Sequence, residues 1–223
     1  MGAWQKEQPF KVLSGDRLFA QLQALAQKAM FAPGEVLFRE EEPAHTLWLI
    51  QSGWVRLKRR VQSGQTFALD VVSPQRGMCG LSAFFGVHYM ATAVAGSAVK
   101  AVGLPSELLR PLMHTHGELA NAVALRLNQR YHHVAKAYSW AFAPVEQRII
   151  AVLLRLMDDF GPVIPMTRRE IAELAGTTVE TAIRMTSRLR REQLVSGQRG
   201  KIEIRSRADL EKKLWIPENE AGY

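Results

Sequence analysis

One cysteine in 223 residues removes several chemistries at once. Cys79 alone cannot close an intrachain disulfide, and no iron–sulfur or zinc site of several thiolates can be assembled within one chain. No apolar run approaches the ~20 residues that a membrane-spanning helix needs. The opening MGAWQKEQPF holds no apolar core of signal-peptide length, so the expected location is the cytoplasm. A Gly-rich phosphate loop, an HExxH pair and a nucleophile elbow are all missing. A lone cysteine among scattered histidines is too little for a catalytic couple, so the chain is not expected to be an enzyme. Low-complexity tracts and repeats of solenoid period are absent as well.

Apolar residues make up 47% of the chain, enough for a real core in one or two domains. Lys and Arg number 29 against 21 acidic residues, a net +8 that favours polyanionic partners without specifying a fold. The arginines concentrate between Arg184 and Arg207.

From the N-terminus, Ser14 to Lys28 reads as a capped amphipathic helix with Leu18, Leu22 and Leu25 as its stripe. Beyond Phe31 the period shortens. Gly34, Gly53, Gly64 and Gly77 punctuate short apolar segments: Val36 with Phe38, Leu47 to Ile50, Val55 with Leu57, then Phe67, Leu69 and Val71. Ala91 to Leu104 adds two more. Such alternation predicts an antiparallel β-barrel or jelly roll.

Near Leu112 the spacing becomes helical again. Leu119, Val123, Leu127, Tyr131, Val134, Tyr138 and Ala141 recur at threes and fours, without Pro or Gly between Glu118 and Ala143. This predicts a helix of roughly 40 Å, and a helix so long in a short chain is expected to be a dimer seam. After Pro144, Gln147 to Phe160 forms another amphipathic helix, ended by Gly161-Pro162.

Thr167-Arg168-Arg169-Glu170 is a capping box. A short helix carrying Ile171, Leu174 and Ala175 follows; Gly176 supplies a turn, and Thr177 or Thr178 can cap a second helix. Ala182, Met185 and Leu189 form the buried stripe of that helix. Val179, Glu180, Ile183, Arg184, Ser187 and Arg188 face away from it. Ser196-Gly197-Gln198-Arg199-Gly200 then separates Leu194-Val195 from Ile202–Ile204 as a β-hairpin. Two capped helices and a hairpin in this order predict a winged helix–turn–helix for the major groove of duplex DNA.

A β-roll, a long helix and a C-terminal winged helix in this order resemble the Crp/Fnr family of bacterial transcription regulators. Gly80-Leu81-Ser82-Ala83-Phe84-Phe85, Thr167-Arg168-Arg169-Glu170 and Gly176–Arg184 carry the resemblance. It implies an α+β fold: an antiparallel β-roll sensor over 12–112, a dimerisation helix over 113–143 and a winged helix–turn–helix over 144–223. It also implies a homodimer, a palindromic DNA site and contact with RNA polymerase. Glu180 and Arg184 become base readers, with Val179 and Ile183 beside them. Arg168, Thr178 and Thr181 become phosphate contacts; Arg188 and Arg199 join them from their places on the second helix and the hairpin. The chemistry is consistent, since Glu accepts from the cytosine amino group and Arg donates twice to guanine. Val179 and Ile183 depart from the family pattern, standing where the cyclic AMP receptor branch has Arg and the Fnr branch has Ser. Neither donates a hydrogen bond, although either can pack on a thymine methyl.

The sensor departs further. Cyclic-nucleotide-binding members carry Gly-Glu-Leu and a later Arg-Ser; this chain has Gly80-Leu81-Ser82 and, at best, Tyr89-Met90. A buried phosphate without a cation is strongly unfavourable, so cyclic AMP is not the expected effector. The expected pocket is apolar and aromatic, drawn from Leu81, Ser82, Tyr89, Met90, Tyr131, Val134 and Ala135, and suits a weakly charged small molecule. No cofactor is expected. Haem is the alternative, with Cys79 near the position used by a carbon-monoxide-sensing relative and His88, His114, His116, His132 and His133 as axial candidates. The plainer readings are a buried apolar Cys79 and exposed helix positions for His132-His133. An architectural DNA binder indifferent to sequence is the rival to a specific regulator; it predicts phosphate contacts alone and a steep salt dependence.

Overall fold

Short strands that each bury one face must pair with neighbours and stack against a second sheet. The computed structural model describes residues 24–60, 66–74, 78–198 and 200–214. The chain divides into two units, Met1–His132 and His133–Tyr223. In the first, β1 (Gln27–Phe31), β3 (Thr46–Ser52), β6 (Met78–Cys79) and β8 (Val99–Pro105) form one sheet in the order β1-β8-β3-β6. The other contains β2 (Val36–Phe38), β4 (Val55–Arg60), β5 (Thr66–Val72) and β7 (Thr92–Ala95), in the order β2-β7-β4-β5. Every pairing is antiparallel. This is the expected roll. The helix expected from Ser14 lies almost wholly outside the described residues. Its last expected members, Gln27 and Lys28, are instead paired in β1 with Gly103 and Val102. The turns at Gly64 and Gly77 also lie outside the described residues.

Leu47, Leu49, Val55, Leu57, Val72, Cys79, Phe84, Ala93, Val99 and Leu104 fill the space between the sheets. Among the described residues, one buried charged side chain joins them. Leu57 pairs with Asp70 and Lys58 with Ala68, which leaves Leu69 unmatched. That slip reverses the alternation read along Phe67, Leu69 and Val71. Asp70 therefore shares the inward face with Leu57 and is buried.

Two helices follow the roll. Helix α1 (Ser106–Thr115) buries Leu109 and Leu112. His116 is extended (φ −122°, ψ 92°) and separates α1 from α2 (Gly117–Trp140). The 24 residues of α2 span about 36 Å. Two members of its expected dimer stripe need correcting: Leu119 and Val123 are fully buried in the core of the roll. Their own chain covers them, leaving no surface for a partner. Ala141 lies in the turn beyond the end of the helix. Among the described residues no helix is long and apolar enough to cross a membrane.

The second unit is built on α3 (Val145–Phe160), whose Ile149, Ile150, Leu153 and Leu156 are fully buried. Strand β9 (Val163–Ile164) follows, then α4 (Arg168–Leu174), α5 (Val179–Arg191), β10 (Val195–Ser196), β11 (Ile202–Ile204) and α6 (Arg207–Lys213). The expected hairpin is β10–β11, and β9 extends it to a three-stranded sheet through Ile164–Ile202. A two-residue strand offers too little alternation to be read from sequence. Gln147 Nε2 donates to the Lys213 carbonyl at 2.8 Å, tying α6 back to α3.

Candidate nucleic-acid interface

The expected capping box is present. Thr167 Oγ1 accepts from the Glu170 amide at 3.3 Å, and Glu170 Oε2 accepts from the Thr167 amide at 2.7 Å. Gly176 turns the chain in the left-handed region (φ 59°). Thr178 then caps α5, its Oγ1 accepting from the Thr181 amide at 3.2 Å and donating to Thr181 Oγ1 at 3.1 Å. The Thr178 hydroxyl, expected on a phosphate, is thus taken up by the cap. At the far end the Leu194 amide donates to the Leu189 carbonyl and the Gln193 amide to that of Arg190. This double closure places Gln193 at φ 59°, a position that usually holds glycine.

The inward stripe of α5 is Ala182, Thr186 and Leu189, all buried. Met185, expected in that stripe, is only half-buried, and Thr186 takes the inner place. Turned outward are Glu180, Ile183, Arg184 and Ser187, with Ile183 45% exposed despite its apolar side chain. Val179 is half-buried. Glu180 and Arg184 lie one turn apart on this face, where the expected reading role requires them.

The phosphate candidates divide. Arg188 needs correcting, because its Nη1 donates to Glu146 Oε2 and its Nε to Glu192 Oε1, each at 3.2 Å. It braces the end of α5 against α3. Arg168 Nε donates to Thr186 Oγ1 at 3.2 Å, which joins the start of α4 to the middle of α5. Arg199 lies outside the described residues. Beside α5 is an open cleft of about 480 Å³, lined by Thr167, Arg168, Arg169, Ile183, Arg190, Gly197, Gln198 and Gly200. Sequence patterning does not single out Arg169 and Arg190: Arg190 falls outside the Glu180–Arg184 row, and Arg169 is an interior member of a capping box. A side chain at Gly197 would put its Cβ 2.4 Å from the Lys201 carbonyl oxygen, so the tip of the wing requires glycine.

In the sensor, Leu81 and Ser82 begin a 3-10 turn, Leu81–Phe84. Tyr89 is a core residue and not an open pocket wall. Its ring stacks on Phe38 at 3.8 Å, its hydroxyl donates to the Thr46 carbonyl at 2.6 Å, and the Thr46 amide donates to it at 3.1 Å. Met90 points the other way and is 66% exposed, so it too is corrected as a pocket residue. Tyr131, Val134 and Ala135 are exposed positions of α2. Leu127 and Tyr138, also on α2, are 37% and 68% exposed.

The sequence reading missed the charge inside the roll. Arg130 Nη2 of α2 stands 3.4 Å from Asp70 Oδ2. Buried Cys79 feels both groups. Burial pushes its thiol up to about 12, with the Arg130 charge opposing and the Asp70 charge adding to the shift. Cys79 packs as a small apolar side chain.

The domain family described as "Cyclic nucleotide-binding domain" matches residues 28–116, and "Crp-like helix-turn-helix domain" matches residues 147–213. The chain is similar to the "Cyclic AMP receptor protein" of Thermus thermophilus, with 29% identity over 190 residues, 83% of this chain and 87% of that protein. It is also similar to the "CRP-like cAMP-activated global transcriptional regulator" of Mycobacterium tuberculosis, 28% identical over 167 residues, 70% of this chain and 73% of that one. In fold it resembles FixK2 from Bradyrhizobium japonicum: TM-score 0.77, 19% identity, 84% of this chain and 96% of that one covered. With a ligand-sensing domain and a DNA-binding helix–turn–helix matched in that order, the chain belongs to the Crp/Fnr family of transcriptional regulators.

Proposed function

We propose that the chain acts as a homodimer that reads a palindromic promoter site, under the control of a signal other than cyclic AMP. The observation that carries this reading is the outward face of α5. Glu180, Ile183 and Arg184 are exposed together on a helix capped at both ends, beside the arginine-lined cleft. Arg184 donates twice to a guanine edge, Glu180 accepts from a cytosine amino group, and Ile183 packs against a thymine methyl. Thr178 spends its proton on Thr181, so Thr181 keeps its own for a phosphate oxygen. Arg168, Arg169 and Arg190 supply the charge that holds the backbone.

The exposed stripe Leu127, Tyr131, Val134 and Tyr138 on α2, spaced four, three and four, supports the dimer. Two copies placing α5 in successive major grooves need centres ~34 Å apart. RNA polymerase contact is proposed from family membership.

The names of two relatives point to cyclic AMP, but the groups that would hold it differ here. Leu81 and Ser82 offer no carboxylate for a ribose, and Tyr89-Met90 offers no cation for a cyclic phosphate. Arg130, which reaches the roll from α2, stands 3.4 Å from Asp70 and has that carboxylate as its counter-charge. A weakly charged organic molecule is the effector proposed in its place. Titration calorimetry with cyclic AMP is expected to show no binding; binding at micromolar concentration would overturn this part.

Selection of bound fragments from the source genome tests the rest. A single enriched palindrome, its half-sites about one helical turn apart, is the expected result. Uniform recovery of all sequences would replace the specific regulator by a sequence-indifferent DNA binder.

A further inference from the structure

Thr186 is the one polar member of the buried stripe of α5. Its Oγ1 is 2.7 Å from the Ala182 carbonyl and 3.2 Å from that of Ile183. A hydroxyl has one proton, and the shorter contact claims it. The lone pairs then face α4 and accept from Arg168 Nε at 3.2 Å.

Packing gives no reason for a hydroxyl at this position. A valine has nearly the same shape, carries no polar group into the core, and does not compete for the carbonyls of its own helix. What the hydroxyl adds is a fixed point for Arg168. That side chain otherwise rotates about four bonds. With Nε held, its two terminal amino groups retain four donors in one plane, a pattern that matches two phosphate oxygens. Arg168 lines the cleft between the start of α4, α5 and the wing. We infer that Thr186 is a positioning residue: it holds Arg168 ready for a phosphate of the duplex while itself touching no nucleic acid. The inference rests on the DNA-binding reading above.

The test compares Thr186→Val, Thr186→Ser, Arg168→Met and the Thr186→Val/Arg168→Met double variant of the full chain. The probe is a labelled duplex of mixed sequence, about 30 base pairs, followed by anisotropy across a potassium chloride series. Arg168→Met is expected to lower the slope of log affinity against log salt by about 0.9, the loss of one phosphate contact. Thr186→Val, which keeps the charge but frees the side chain, is expected to weaken binding by about 2- to 10-fold. Thr186→Ser should restore affinity to within about twofold. In the Arg168→Met background Thr186→Val should have no further effect, because nothing is left to position.

A merely structural role predicts the opposite of two of these results. It would lower the melting temperature of Thr186→Val, which is expected to equal or exceed that of the wild type, and it would weaken DNA binding equally in both backgrounds. Either outcome overturns the inference, as does wild-type affinity in Thr186→Val when Arg168→Met is impaired. If Arg168→Met itself changes neither affinity nor salt slope, Arg168 is no phosphate contact, and the reading beneath the inference is what has failed.

Discussion

Removing Arg130 is a direct test of whether the charge pair inside the roll is built as described. The Asp70 side chain is 6% exposed and that of Arg130 26%. At 3.4 Å, two unit charges attract by about 5 kcal/mol at an effective dielectric constant of about 20, and by about 1 kcal/mol in water. Arg130→Met removes a cation that stands 3.4 Å from the buried carboxylate. A fully buried stranded charge costs about 3–5 kcal/mol. Here Asp70 keeps the Val71 amide at 2.8 Å among its remaining contacts, and the arginine end is partly wet, so about 1–3 kcal/mol is the expected loss. Asp70→Asn strands the arginine instead, which can swing towards water, at about 1 kcal/mol. The double variant should cost less than the sum by about 1–2 kcal/mol. Urea unfolding of the four proteins, read by hydrogen exchange of β3 and β8, measures the cycle within this unit. Additivity to within about 0.5 kcal/mol, or a larger loss in Asp70→Asn than in Arg130→Met, refutes the pairing.

Arg184→Ala is expected to weaken binding to the selected palindrome by about 1–3 kcal/mol while leaving random duplex nearly unaffected; equal losses on both, by anisotropy at fixed salt, remove the base-reading role. Arg188→Met should lower the stability of the second unit by up to about 1 kcal/mol, because both of its ion pairs are half-exposed, and leave the DNA salt slope unchanged. Gln193→Gly should raise stability by up to about 1 kcal/mol in urea titration, by relieving a left-handed residue at the close of α5. Cys79 makes the pH prediction. Between pH 9.0 and about 12 the unfolded thiol has lost a proton that the folded thiol keeps. Stability relative to Cys79→Ala should therefore fall by about 1.4 kcal/mol per pH unit above pH 9, with no such slope below it. A flat difference from pH 8 to 10.5 contradicts the burial.

Where the sequence was legible, each signal had a local cause. Thr167 and Glu170 stand three apart because the two halves of a capping box must reach each other's amides, and Gly176 sits where the turn is left-handed. The alternation of β4, β7 and the first half of β3 follows from sheets buried on one face. Reading fails where one pattern admits two partners. Leu119, Val123, Leu127 and Val134 share a single helical stripe, yet the first two sit in the roll and the others are exposed. The period of a stripe reveals a covered face but not the element that covers it. The unmatched Leu69 is a second kind of failure, because a slip of one residue in register leaves no mark on composition while reversing which residues point inward.

The deepest misses were polar residues in apolar positions. Asp70 and Thr186 are invisible to any search for hydrophobic periodicity, since each interrupts the pattern that defines its element. Both are disadvantageous to bury unless something accepts them, and in each case an arginine from another element does so: Arg130 from α2, Arg168 from α4. That shared arrangement is the reason to look for function there. A core selected only for packing would hold a leucine or valine at both places, so the cost of burying the polar group has to be offset by the arginine it orients. For Thr186 that arginine faces the cleft beside the recognition helix. For Asp70 it anchors α2 to the interior of the roll.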